Sequence, residues 1–213
     1  MCIRDRSLDI GYGYTHDGGK SYPFRGKGIG KMPSLTEVLD TFPKQKFLVN
    51  IKSNSLGDAD LVDDFLNKRQ GEDLSRLWFY GGTKPTARLL FLRPELKGFT
   101  KPSVKSCFVE YALLAWSGYI PDSCRNTIIL IPNNYAPYLW GWPSRFSKRM
   151  AKVNTEIIYT GEHHLHTRGI DDPKEVQLLS KEYRGILWTN KIEKVGSLKL
   201  KTKDGANSIK LIV

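Results

Sequence analysis

The stretch KFLVNIKSN, residues 46–54, sets an amide and an ammonium two positions apart, at Asn50 and Lys52, in a run that begins as a buried strand. Side chains alternate along a strand, so Asn50 and Lys52 share one face while Val49 and Ile51 take the other. Two polar groups on one face at a strand's carboxyl end mark the place where α/β enzymes keep their chemistry. The competing reading is a strand running out into solvent. His163, His164 and His166 form the one dense histidine cluster. Zinc would need further ligands in a defined geometry, and none adjoin, so a solvated loop is the favoured reading there. Gly26, Gly28 and Gly30 suggest a phosphate loop, but no Lys-Ser or Lys-Thr pair opening a helix follows them. Cys2, Cys107 and Cys124 fit neither a disulfide scaffold nor a CxxC knuckle. Cys107 and Cys124 can pair in an exported protein or stay as two buried thiols.

Composition limits what these groups can serve. With 213 residues and 40% hydrophobic content, the chain can bury one good core and nothing requires two. No long uncharged apolar run is present, which excludes a membrane-spanning helix. Thirty-three basic residues against 22 acidic ones give a formal charge of +11, which favours an anionic partner. The excess is spread thinly, with a local concentration between Lys191 and Lys210, and no zinc-finger or helix-turn-helix spacing accompanies it. Small phosphorylated substrates, or a generally basic surface, fit that distribution better than sequence-specific nucleic acid.

The elements that would position these residues alternate along the chain. Strand-like runs lie at 46–53, 76–82, 97–100 (the weakest), 127–134, 155–161 and 185–190. Helical patterns fill the gaps. Ser34 and Glu37 form a capping box ahead of the stripe Leu35, Val38, Leu39 and Phe42. Leu61, Val62, Phe65 and Leu66 form a second stripe, with Gly71 as its stop. Further helices are expected after Gly82, over 103–117, from Pro143, and after the Asp172-Pro173 pair.

Strands separated by helices imply a parallel sheet with right-handed crossovers, either open and doubly wound or closed into a barrel. An open sheet would advertise a glycine-rich turn after its first strand, whereas SLGDADL follows Asn54. Polar residues gather instead at many strand ends, which predicts a TIM barrel. Closure takes eight strands and six are legible, so the expectation is an incomplete (βα)8 barrel holding strands three to eight. The glycine-rich segment 8–33 is long for a loop without elements of its own. MCIRDR at the amino terminus looks like a translated sequencing-adapter leader. The expected organisation is therefore a leader over 1–7, a partial barrel over 8–195 that starts after the second βα unit, and a basic tail over 196–213 with a hairpin signal at Asp204-Gly205.

The runs LDIGYGYTHDGGKSYPFRGKGIGKMPSLTEVLDTFP, KFLVNIKSN, AWSGYIPDSCRNTIILIPNN, YLWGWPSRF and YRGILWTNKIE, in that order, resemble the glycerophosphodiester phosphodiesterase family. The resemblance implies metal-assisted hydrolysis of glycerophosphodiesters to glycerol 3-phosphate and an alcohol, with calcium or magnesium bound. The family's two acid-base histidines and its Glu-x-Asp pair lie upstream of the matching runs, so this chain is expected to be catalytically silent. The family's third-strand Glu-x-Lys is written here as Asn50-Ile51-Lys52. Lys52 would then be the clamp that neutralises a phosphate, and Asn50 would be a metal ligand without its charge.

The stretch around Gly26–Gly30 reads as a folded-over rim loop with Arg25 a candidate for the substrate phosphate, and Trp188, at the end of the last strand, is a candidate for lining the glycerol or alcohol pocket. For Trp140, Trp142 and Trp188 alike, packing is the stronger expectation. A reading from another class is a noncatalytic protein that holds a phosphorylated ligand or an anionic surface.

Overall fold

A computed structural model describes residues 6–69, 71–163, 167–177, 179, 183, 185–196, 198–202, 205–208 and 210–212, with backbone alone from 199 onward. The chain divides into two units at Gln45.

In the first unit, the segment 8–33 is organised by two carboxylates. Asp9 accepts hydrogen bonds from the backbone N–H groups of Gly11 (3.0 Å), Gly26 (2.5 Å) and Gly28 (2.9 Å). Gly28 is required there, because a Cβ at that position would lie 2.5 Å from Asp9 Oδ1 and from the Gly11 nitrogen. Asp17 accepts from the Thr15 and Ser21 hydroxyls and from the Lys20 and Ser21 amides. Helix α1 (Leu35–Thr41) follows, and Ser34 and Glu37 close the capping box expected from their spacing. Glu37 also pairs with Arg6.

The second unit contains two parallel sheets. In the first, β1 (Phe47–Ile51), β2 (Leu77–Gly81) and β3 (Lys97–Phe99) lie in chain order, with Asn50 opposite Tyr80. The second holds β4 (Ile128–Pro132), β5 (Glu156–Thr160), β6 (Ile186–Trp188) and β9 (Lys210–Ile212). Crossovers run through α2 (Gly57–Asn67), α3 (Thr83–Leu92), α4 (Lys101–Leu114), α5 (Ser144–Lys152) and α6 (Pro173–Gln177), followed by α7 (Ile192–Val195). In the tail, β7 (Lys199–Thr202) and β8 (Gly205–Ser208) pair antiparallel.

The barrel expected from the sequence is not formed. The six strands fall into separate three-strand parallel groups, β1-β2-β3 and β4-β5-β6, and no ring closes. One physical cause lies at the junction of β3 and β4. Strand β3 is only three residues long, and side chains take the place of a backbone ladder there. The Thr127 hydroxyl donates to the Gly98 carbonyl at 2.8 Å, the Asn126 Nδ2 donates to the Pro94 carbonyl at 3.2 Å, and the Lys97 ammonium donates to the Asn154 side-chain Oδ1 at 2.7 Å. A second cause lies at the far edge. The free side of β6 pairs with β9, from a tail that the sequence places outside the barrel. Closure requires every strand edge to meet another strand of the ring, and neither edge here does so.

Among the described residues, two apolar clusters on the second sheet sort by strand face, as period-two alternation demands. One packs Ile129, Ile131, Ile157 and Leu187 against the helices, with Tyr111 of α4, Phe146 and Met150 of α5, and Val176 of α6. Cys107 and Cys124 are joined by a disulfide inside this core, which links α4 to the turn before β4. Of the two alternatives left open by the sequence, the structure has the pair. The other core draws Trp78 and Phe99 from the first sheet together with Ile128, Ile158 and Ile186 from the second, and Leu48, Tyr80, Leu130 and Trp188 pack on it. A capping box between Thr100 and Ser103 starts α4, an arrangement worth about 1 kcal/mol where the cap is removed.

Candidate functional site at the strand ends

The second core continues the parity of Asn50. Leu48 and Asn50 of β1, Trp78 and Tyr80 of β2, and Ile186 and Trp188 of β6 are each two residues apart, so each pair shares a face. Going up the strands, the apolar layer gives way to one of rings and an amide. Tyr80 stacks on Phe99 with centroids 5.3 Å apart and meets Trp188 edge-on at 5.9 Å. Since Tyr80 belongs to the first sheet and Trp188 to the second, this aromatic contact bridges the sheets where no strand ladder does. The Asn50 Nδ2 donates to the Tyr80 hydroxyl at 3.0 Å. All three side chains are half-buried, so one side remains open to water.

Two glycines allow Asn50 and β2 to come this close. Gly81 has φ +121°, and a Cβ on it would lie 2.2 Å from the Ile51 carbonyl oxygen and 2.5 Å from Asn50 Oδ1. At Gly82 a Cβ would lie 1.7 Å from the Ser53 carbonyl oxygen, while its own N–H donates to Ile51 at 2.7 Å. The strand end is held further by the Asn54 side chain, which accepts from the Lys84 amide at 3.0 Å.

Lys52 follows β1 directly and is exposed, and among the described residues its ammonium has no hydrogen-bond or ion-pair partner. Asn50 is not a metal centre on its own. Its amide nitrogen is engaged with Tyr80, and among the described residues no three histidine, cysteine or carboxylate side chains come together to hold an ion. A hard cation needs several oxygen ligands, of which Asn50 would supply one.

The other sequence candidates have partners of their own. Arg25 lies in the first unit, its guanidinium 4.4 Å from the Tyr12 ring centroid and 3.9 Å from that of Tyr22, and its Nε donates to the Tyr12 carbonyl at 3.0 Å. Its donors and its charge are thus partly spent within the loop. The amides of Gly26 and Gly28 point at Asp9, so the protein's own carboxylate occupies the nest that a phosphate would need. His163 is pinned by the Asn134 side chain, whose Nδ2 donates to the His163 carbonyl and whose Oδ1 accepts from the His163 N–H, at 3.1 Å each, and His163 Nδ1 lies 2.9 Å from the Thr167 hydroxyl. His164 and His166 fall outside the described residues. Trp140 carries the guanidiniums of Arg145 and Arg149 on its ring, and Trp142 stacks on Tyr159 at 5.4 Å. Burial raises the Tyr159 phenol above its ordinary value. Asn190 is tied to Asp171, whose carboxylate accepts from the Asn190 amide (2.7 Å) and the Thr189 hydroxyl (3.0 Å).

The sequence marks Asn50, Lys52 and Trp188 as candidates and Tyr80 only as a polar strand end, whereas in the structure Tyr80 is what joins Asn50 to Trp188. The signal present was parity: Tyr80 ends an apolar strand just before a Gly-Gly pair. Among the described residues no helix is long and apolar enough to cross a membrane.

The fold and site define an α/β chain with parallel sheets and a half-open aromatic wall at their carboxyl ends. No protein-family model matches the chain, and no curated protein and no solved structure is significantly similar to it.

Proposed function

We propose that this chain holds a small phosphate ester of the glycerophosphodiester class at the carboxyl ends of β1, β2 and β6, and that it does not hydrolyse it. The observation that carries this reading is the wall of Asn50, Tyr80 and Trp188 at the end of β1, where Lys52, the residue that follows the strand, is exposed. Lys52 supplies a positive charge for the phosphate oxygens, the Asn50 carbonyl oxygen and Tyr80 hydroxyl offer hydrogen bonds to glycerol hydroxyls, and the ring edges give an apolar side to the alcohol. The net charge of +11 favours an anionic ligand.

The link to phosphodiesterases rests on the ordered sequence runs that resemble that family. Metal-assisted hydrolysis belongs to a chain with the histidine turns and the Glu-x-Asp carboxylates, which have no counterpart in the matching runs. Calorimetric titration with glycerol 3-phosphate and with glycerophosphocholine tests the proposal. Lys52→Ala should weaken glycerol 3-phosphate binding by about tenfold or more, as expected for loss of a charge-assisted bond worth about 1.5–3 kcal/mol, and should leave the melting temperature in place. Affinity that is equal in Lys52→Ala and the parent chain would sink it, as would release of free glycerol 3-phosphate from the diester.

A further inference from the structure

The segment 8–33 turns its acidic groups inward and its apolar and basic groups outward. Asp9 and Asp17 are consumed by backbone amides and hydroxyls of the same segment. Lys20, Lys27 and Lys31 are exposed. Between them stand side chains that a soluble surface normally hides: Ile10 is 52% exposed, Tyr12 62%, Tyr14 57%, Phe24 50% and Ile29 60%. Ile10, Tyr14 and Phe24 line an open cleft of about 420 Å³, with Lys27 and Lys31 at its sides. Tyr14 and Phe24 meet edge to face at 5.1 Å, and the Arg25 guanidinium lies over the rings of Tyr12 and Tyr22.

We infer that this face docks on an anionic lipid surface, with the Ile10–Tyr14–Phe24 cleft against the acyl-glycerol boundary and Lys27 and Lys31 at the phosphates. Charge complementarity selects this occupant: the lysines attract a negative bilayer, while amphipathic tyrosines suit the depth at which water and hydrocarbon meet. An exposed apolar patch rimmed by cations is the expected form of such a surface. The internal bonds to Asp9 and Asp17 hold the loop in shape beforehand, so docking orders little new chain. This inference stands apart from the ligand proposed at Lys52.

Co-sedimentation of the full chain with vesicles of phosphatidylcholine alone, and of phosphatidylcholine with phosphatidylglycerol, tests it. The chain should sediment with the anionic vesicles, stay in solution with the neutral ones, and be released by salt. The double variants Lys27→Glu/Lys31→Glu and Ile10→Ser/Ile29→Ser should each weaken partitioning by about tenfold or more, with unchanged melting temperature, while Lys52→Ala partitions as the parent does. Equal binding to both vesicle types, no binding, or full binding by either double variant would overturn the inference. So would a dimer in sedimentation velocity that the Ile10→Ser/Ile29→Ser variant dissociates, because a second copy would then be the occupant.

Discussion

Removing the bond between Asn50 and Tyr80 perturbs the candidate site with little disturbance of its surroundings. Tyr80→Phe deletes only the hydroxyl that accepts from Asn50 Nδ2 at 3.0 Å, leaving the ring able to stack on Phe99 and to meet Trp188. Asn50→Ala removes the other partner. A neutral hydrogen bond contributes about 0.5–1.5 kcal/mol net, and these half-buried groups can turn to water when left alone, which puts the coupling near the lower half of that range. The two single variants and the double should therefore show a coupling of about 0.5–1 kcal/mol, read from urea unfolding followed by tryptophan fluorescence. In a chain of this length that corresponds to roughly 1–4 °C in melting temperature. Strict additivity of the two substitutions would refute the geometry, since it would mean that the amide and the phenol are not partners in solution.

Replacing Gly81 by alanine should cost more than either of those changes, because the new Cβ would meet the Ile51 backbone at 2.2 Å in a backbone conformation that L residues rarely adopt. A loss of about 3 kcal/mol or more is expected in urea melts, and a near-neutral variant would contradict the register of β1 on β2. The Cys107–Cys124 disulfide, both residues at most 1% exposed, should resist reduction by dithiothreitol until the chain unfolds, and Cys107→Ala/Cys124→Ala should lower stability by about 3 kcal/mol, as calorimetry would record. For the carboxylates of the first unit, Asp17 is held at about 2 by the Ser21 hydroxyl, the Ser21 amide and the Thr15 hydroxyl, and Glu37, in the first turn of α1, is held at about 2 by Arg6 and then by Ser34. Both folded values are depressed below the unfolded ones, so their contribution is present above the ordinary carboxylate range and is lost as pH falls through about 2. Carbon-detected titration of the folded chain should place both midpoints well below those of a denatured control, and coincident midpoints would contradict the loop structure.

Local features of the fold were legible because their causes are local. The Ser34–Glu37 box, the proline start after Asp172 and the apolar run that becomes β1 each carry their signal within a few residues. Closure was not legible. It depends on whether β3 is long enough to ladder onto β4, and on where a tail strand over 210–212 finds a partner, and neither is written in a pattern of spacing. The same limit held at the site. Alternation put Asn50 and Lys52 on one face, but Tyr80 is 30 residues from Asn50, and only the sheet register brings the two together. The glycines beside Arg25 suggest a phosphate loop but lack its lysine and helix start, and the sequence does not reveal that Asp9, 17 residues before Gly26, is the anion that the Gly26 amide serves.

The ligand proposed at the end of β1 is tested most directly by a nitrogen–proton correlation spectrum of the labelled chain, recorded as glycerol 3-phosphate is added. The Trp188 indole resonance and the backbone signals of Asn50, Lys52 and Tyr80 should move together and saturate, and Lys52→Ala should abolish the effect. Saturable shifts confined to other parts of the chain, or shifts that persist in Lys52→Ala, would contradict it.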